Sequence, residues 1–148
     1  AMDLWNEKFY DYYEHTFPYA GTVEMLDTLK NTGCDLGVVS NKLQSGVDLI
    51  IEKCLPSYFE VMLGDSPICP RKPDPTGIKM AMQIMGATAE NTAYIGDSPS
   101  DIVAAHNAGL RGIAVLWGYH KKEDFPTEGA EKPDLFIEKP EDLLALIG

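Results

Sequence analysis

Tyr94-Ile95-Gly96-Asp97-Ser98-Pro99-Ser100-Asp101-Ile102 decides how the chain is read, because an apolar run meets two carboxylates and the start of a helix there. Thr92 to Ile95 favours an extended strand and Gly96 permits a sharp turn. Ser98 or Asp97 can cap a helix, and Pro99 suits its first turn. Asp97 then stands at the strand exit, with Asp101 one helical turn further on. Acids so spaced can face one point beyond the strand, where a hard cation such as Mg²⁺ is held by oxygen ligands. Acids in a first helical turn equally serve as caps that complement the helix dipole. The two residues alone leave both readings open.

Outward from this stretch, helices alternate with short apolar strands. Thr22 to Thr32 reads as a helix with Val23, Leu26 and Leu29 on one face and Gly33 as its stop. Asp35 to Ser40 follows as a buried strand that delivers Ser40-Asn41-Lys42 to its carboxyl end. A helix from Gln44 to Leu55, a strand from Val61 to Leu63 and the turn-rich Ser66 to Pro75 come next. Asp74-Pro75 opens a helix whose Ile78, Ala81, Met82 and Met85 form an apolar face ending at Gly86; the methionines read as core. Beyond Asp101, Ala104, Ala105 and Ala108 allow close packing, and Gly112 to Trp117 is a fully apolar strand. A charged loop (118–132), a short strand at Leu135 to Ile137 and a closing helix from Pro140 to Ile147 complete the pattern. This is α/β architecture, a mainly parallel sheet covered by helices on both faces, in which ligands gather at the carboxyl ends of the strands.

With 148 residues and 45% hydrophobic content, the chain is the size of one domain with a real core. Twelve basic against 23 acidic side chains leave a net charge of -11, which repels a polyphosphate backbone and argues against nucleic-acid binding. No apolar run approaches the roughly 18 residues of a membrane span, so no membrane association is expected and a cytoplasmic address is the default. Cys34, Cys54 and Cys69 fit no metal-ligand spacing and read as free thiols. His15, His106 and His120 are too dispersed for a metal set and read as surface or packing residues. Leu4, Trp5, Phe9, Tyr12, Tyr13 and Phe17 place an aromatic stripe near the N-terminus that needs a cover.

One cation belongs with the polar residues at the strand ends. In Pro70-Arg71-Lys72-Pro73-Asp74-Pro75, prolines flank Lys72 closely and stiffen the turn, which fixes the direction of its ammonium. A phosphoryl site follows: Ser40 and the Asn41 backbone bind phosphoryl oxygens, Lys72 neutralises charge, and Asp97 with Asp101 holds Mg²⁺ against it.

Ser40-Asn41-Lys42, Arg71-Lys72-Pro73-Asp74-Pro75 and Ile95-Gly96-Asp97-Ser98-Pro99-Ser100-Asp101 resemble, in order and spacing, the second, third and fourth motifs of haloacid-dehalogenase-superfamily hydrolases. The likeness continues through Ala104-Ala105, Ala108-Gly109 and Trp117-Gly118-Tyr119 and looks most like the phosphoglycolate-phosphatase-like branch. It implies a three-layer, Rossmann-like core and a Mg²⁺-dependent phosphatase of a small phosphorylated metabolite, working through an aspartyl-phosphate intermediate. The family's nucleophile and acid stand in an Asp-x-Asp-x-Thr motif at the end of its first, central strand, and this sequence holds no such motif. Residues 5 to 21 instead resemble the end of the family's mobile cap and its hinge.

The expectation is therefore a remnant cap helix and hinge over residues 1–18 and a core over 19–148 that lacks its first central strand. Such a chain is a phosphatase by descent and inactive by itself. The alternative is a degenerate Mg²⁺- or phosphate-binding or regulatory module. A phosphorelay receiver also uses acids, a hydroxyl and a Lys, but wants its acids early and its Lys late, the reverse of Lys72 and Asp97. The aromatic N-terminal segment is expected to fill the space of the missing strand or to join copies into a homo-oligomer.

Overall fold

The computed structural model describes residues 21–118 and 120–146. The expected cap remnant, its aromatic stripe and Tyr119 lie outside the described residues. Among those described, the elements run α1 (Thr22–Asn31), β1 (Gly37–Leu43), α2 (Gln44–Cys54), β2 (Val61–Asp65), α3 (Thr76–Met85), β3 (Ala93–Gly96), α4 (Pro99–Asn107), β4 (Arg111–Val115) and β5 (Leu135–Ile137).

All strand pairs are parallel, as the alternation of strands and helices requires, but they form two sheets. β1 pairs with β2, and β3, β4 and β5 pair in that order. Between β1 and β3 lies a cavity of about 280 Å³, lined by both strands and by α3. The break falls where the sequence leads one to expect an absent central strand.

Two helical layers hold the halves together. On one face Met25, Leu26 and Leu29 of α1 pack with Ile113, Val115, Ile137 and Leu143, and reach both Leu36 beside β1 and Ala93 of β3. The buried α1 face thus uses Met25, whereas Val23 is exposed. On the other face Ile78 of α3 meets Ala104, Ala105 and Leu110, with Val39 of β1 and Tyr94 of β3 packed against them. The alanines let α4 approach the strands closely, and Gly112 accepts the Ile102 side chain in the space a Cβ would need.

Strand ends move by one to three residues from the sequence reading, with β4 stopping at Val115 rather than Trp117. β1 continues through Ser40-Asn41-Lys42 to Leu43, with a slip in register against β2 between Val39 and Leu43. The closing segment Pro140–Leu146 is a 3-10 helix, not an α-helix. Its buried residues, Pro140 and Leu143, are three apart, the period that a 3-10 turn superimposes. Phe125, in the loop read only as charged, is buried against Ile102 and Ala114 and anchors that loop.

Candidate functional site

The turn from β3 into α4 is built by reciprocal capping. Ser98 is the N-cap, its hydroxyl accepting from the Asp101 amide, while the Asp101 carboxylate accepts from the Ser98 amide, with Pro99 in the first turn. Asp101 Oδ2 also takes the Asp97 amide at 3.0 Å and the Ser98 hydroxyl at 3.0 Å. Gly96 makes this possible, because any Cβ there would collide with the Asp101 side chain. The capping reading of Asp101 is thus realised, yet its other oxygen has a different partner.

Asp101 Oδ1 receives the Lys72 ammonium at 2.6 Å, a pair whose side chains are only 11% and 8% exposed. Lys72 Nζ also donates to the Tyr94 hydroxyl at 2.8 Å and to the Val39 carbonyl at 3.0 Å. Tyr94 in turn donates to the same Val39 carbonyl at 2.9 Å. Burial acts to lower the Lys72 pKa, but Tyr94 and Asp101 outweigh it and hold the ammonium above the ordinary lysine value. Burial pushes the Tyr94 phenol up as well. At neutral pH Tyr94 is therefore uncharged, and Asp101 supplies the opposing charge.

The loop that presents Lys72 is held by Asn41. Asn41 Oδ1 accepts from the Lys72 amide at 2.7 Å, and Nδ2 donates to the Lys72 carbonyl at 3.4 Å. Ser40, one residue earlier, accepts from the Lys42 amide at 3.1 Å and keeps its own hydroxyl hydrogen to donate elsewhere. Asp97 packs against the loop after β4: a Cβ on Gly118 would stand 2.5 Å from Asp97 Oδ2.

Of the residues singled out in the sequence, hydrogen bonds join Asn41, Lys72 and Asp101 directly and Asp97 through its amide. Ser40 is placed beside them by its neighbour Val39. Sequence reading missed Tyr94 and the Val39 carbonyl, although Tyr94 opens the quoted stretch. A tyrosine in a short strand otherwise made of Ala, Ile and Gly is the signal that could have found it.

Among the described residues no three His, Cys, Asp or Glu side chains converge as a metal cluster. Mg²⁺ does not require one, since one or two carboxylates suffice when water and phosphate oxygens complete the octahedron. Asp97 and Asp101 fit that pattern unequally. Asp101 is already committed to Lys72 and to the turn, whereas Asp97 joins that network through its amide and sets its carboxylate beside Gly118.

Comparison with known proteins addresses the family of the chain. The model of the haloacid dehalogenase-like hydrolase family matches residues 1–115. Phosphoglycolate phosphatase 1 of Pseudomonas aeruginosa is 32% identical over 145 residues, covering 97% of this chain and 52% of the relative. Phosphoglycolate phosphatase of Aquifex aeolicus is 33% identical over 134 residues, covering 90% and 60% respectively. The chain thus spans between half and three-fifths of the length of these relatives. A solved structure from Lactobacillus delbrueckii subsp. bulgaricus superimposes with a TM-score of 0.84 at 29% identity, covering 90% of this chain and 54% of that one. A haloacid dehalogenase-like family hydrolase from Streptococcus pneumoniae shares the fold, with a TM-score of 0.78 at 24% identity over 88% of this chain and 60% of that one. The chain belongs to the haloacid dehalogenase-like hydrolases, in their phosphoglycolate-phosphatase-like branch.

Proposed function

We propose that these residues are the phosphoryl- and metal-binding part of a phosphatase acting on small phosphate monoesters of the phosphoglycolate type, and that this chain alone binds without turning over. The observation that carries the reading is the buried Lys72 ammonium, fixed between Val39 of β1, Tyr94 of β3 and Asp101 of α4.

The Ser40 hydroxyl and the Asn41 amide bind phosphoryl oxygens. Asn41 also sets the position of the Lys72 backbone through its side chain, and Lys72 brings positive charge to the phosphoryl group in a water-poor setting, where charge acts strongly. Asp97 is the direct ligand for Mg²⁺, with Asp101 adding negative charge behind it. When bound, Mg²⁺ supplies neutralisation and orientation of the phosphoryl group. The attacking carboxylate of the family belongs to Asp-x-Asp-x-Thr, which this sequence does not contain. Residues 1–18 are then the remnant of the cap and its hinge, and 19–148 the core.

A phosphate-release assay with an aryl phosphate and phosphoglycolate, with and without Mg²⁺, tests the reading beside Mg²⁺ titration calorimetry. No turnover is expected, with Mg²⁺ binding that Asp97→Asn removes. Turnover in the unmodified chain that Asp97→Asn abolishes would overturn the inactive assignment, and absence of Mg²⁺ and phosphate binding would overturn the site.

A further inference from the structure

His106 sits in the last turn of α4, and each of its ring nitrogens has a partner. Nδ1 lies 2.7 Å from the Ala130 carbonyl, and Nε2 lies 2.8 Å from Asp134 Oδ2. Both partners can only accept. A carbonyl has no hydrogen to give, and an ionised carboxylate has none either. Burial opposes ionisation of Asp134, but the Gly112 amide and His106 hold its carboxyl below the usual range. A neutral imidazole carries a single N–H, so it would satisfy one acceptor and turn a lone pair toward the other. The imidazolium satisfies both, and the carboxyl end of a helix favours the same charge. Arg111 of β4 acts on the ring only through Asp134, and Asp101 of α4 is five residues earlier and paired with Lys72. Glu131 and Lys132 flank the site on exposed backbone.

The two acceptors are not equally anchored. Asp134 is fastened to β4 whatever the ring does, its carboxylate accepting from the Gly112 amide at 2.7 Å and its own amide donating to the Gly112 carbonyl at 2.8 Å. Ala130 belongs to a strap, residues 126–132, that is exposed throughout between buried Phe125 and buried Pro133. Within the strap the Lys132 amide donates to the Gly129 carbonyl. Between those anchors, the hydrogen bond that ties it to the body of the domain, among the described residues, is the one from His106 to Ala130. A proton facing a carboxylate is held more tightly than one facing a neutral carbonyl, so Nδ1 gives up its proton first. The bare nitrogen and the Ala130 oxygen then meet lone pair to lone pair.

We propose that His106 is a proton-operated clasp, which fastens the 126–132 strap to α4 through the Ala130 carbonyl when charged and releases it when neutral, while keeping Asp134. The ring is 25% exposed, so the proton passes to solvent. Release stops at Phe125, which stays buried against Ile102 and Ala114, and at Asp134, which stays on Gly112.

The test titrates the full chain, labelled with ¹⁵N and ¹³C, from pH 5.5 to 9. Ring ¹⁵N shifts report the proton on each nitrogen of His106, and ¹³Cα relaxation reports backbone order without depending on amide exchange. The result expected is an imidazolium at the acid end that loses its Nδ1 proton first. With the same midpoint, the order parameter at Ala130 and Glu131 should fall from roughly 0.85 to below about 0.6, with Phe125 and Asp134 unchanged. His106→Gln should make strap order independent of pH. Asp134→Asn should move the His106 titration and the release together to lower pH, which a purely structural contact would not do. Strap order that stays constant while His106 titrates overturns the proposal, as does a midpoint apart from that of His106. A ring that keeps one charge state throughout, or that loses the Nε2 proton first, overturns it as well. The unmodified chain alone yields each of these outcomes, so the proposal stays open to refutation if either variant fails to fold.

Discussion

The Asn41 side chain grips the Lys72 backbone at two points, accepting from its amide at 2.7 Å and donating to its carbonyl at 3.4 Å. A residue on β1 thereby fixes the loop between β2 and α3. Asn41→Ala removes both bonds and leaves a partly buried amide without its acceptor, at a cost of about 1–3 kcal/mol. Urea denaturation should show a lower midpoint at unchanged slope, together with weaker phosphate binding. Asn41→Asp keeps the shorter bond and should recover part of the stability.

Asp97 and Asp101 are the same residue type four positions apart with different duties, and asparagine substitution separates them. Asp101→Asn leaves the buried Lys72 ammonium without its counter-charge, a loss of about 3–5 kcal/mol for a broken buried pair. Asp97→Asn touches no ion pair among the described residues and should shift stability by less than about 0.5 kcal/mol while removing Mg²⁺ binding. Equal destabilisation by the two changes would contradict the division of roles.

Gly118→Ala is expected to act on Asp97 and leave the fold in place. The added methyl would lie 2.5 Å from Asp97 Oδ2 and 2.7 Å from Asp97 Cβ, so the carboxylate must swing aside and the loop after β4 must shift locally as well. Mg²⁺ affinity should fall with circular dichroism unchanged. Gly96→Ala meets the Asp101 side chain inside the capping box instead, and should lower the yield of folded protein.

His106 ties α4 to the segment before β5, its ring nitrogens lying 2.8 Å from Asp134 Oδ2 and 2.7 Å from the Ala130 carbonyl. Burial acts to lower its pKa, but Asp134 and the Ala130 carbonyl outweigh that and raise it above the usual histidine value. The stabilisation is therefore complete below the unfolded value of about 6.5 and fades as pH rises through the higher folded value. Asp134 is shifted down on balance: burial opposes, while the Gly112 amide and His106 prevail. Its contribution is present above the unfolded carboxylate pKa and fades as pH falls through the folded one. Melting temperature should decline from pH 6 to 8, and His106→Gln should flatten that decline.

The helix and strand periods, together with Gly33, Gly86 and Gly109, made most elements readable, because each is a local consequence of spacing. Lys72 was readable through its prolines and Asp101 through its distance from Asp97. Tyr94 was not, since its function lies in a hydroxyl that reaches a carbonyl 55 residues earlier in the chain. Asn41 was read for its backbone, and only the fold shows its side chain holding Lys72. The break between the sheets followed from a motif the sequence lacks, whereas the 3-10 form of Pro140–Leu146 depended on packing against α1, which no local pattern encodes.

No backbone ladder among the described residues crosses from β1 to β3. Among the described residues, side-chain packing under α1 and α3 and the bonds of Lys72 link the two sheets. Lys72 is a rivet between them, coming from the loop after β2 and fastened at once to β1, β3 and α4. Loosening that ammonium removes one tie between the sheets beside the packing of α1 and α3, so that the charge at the site also takes part in holding the domain together.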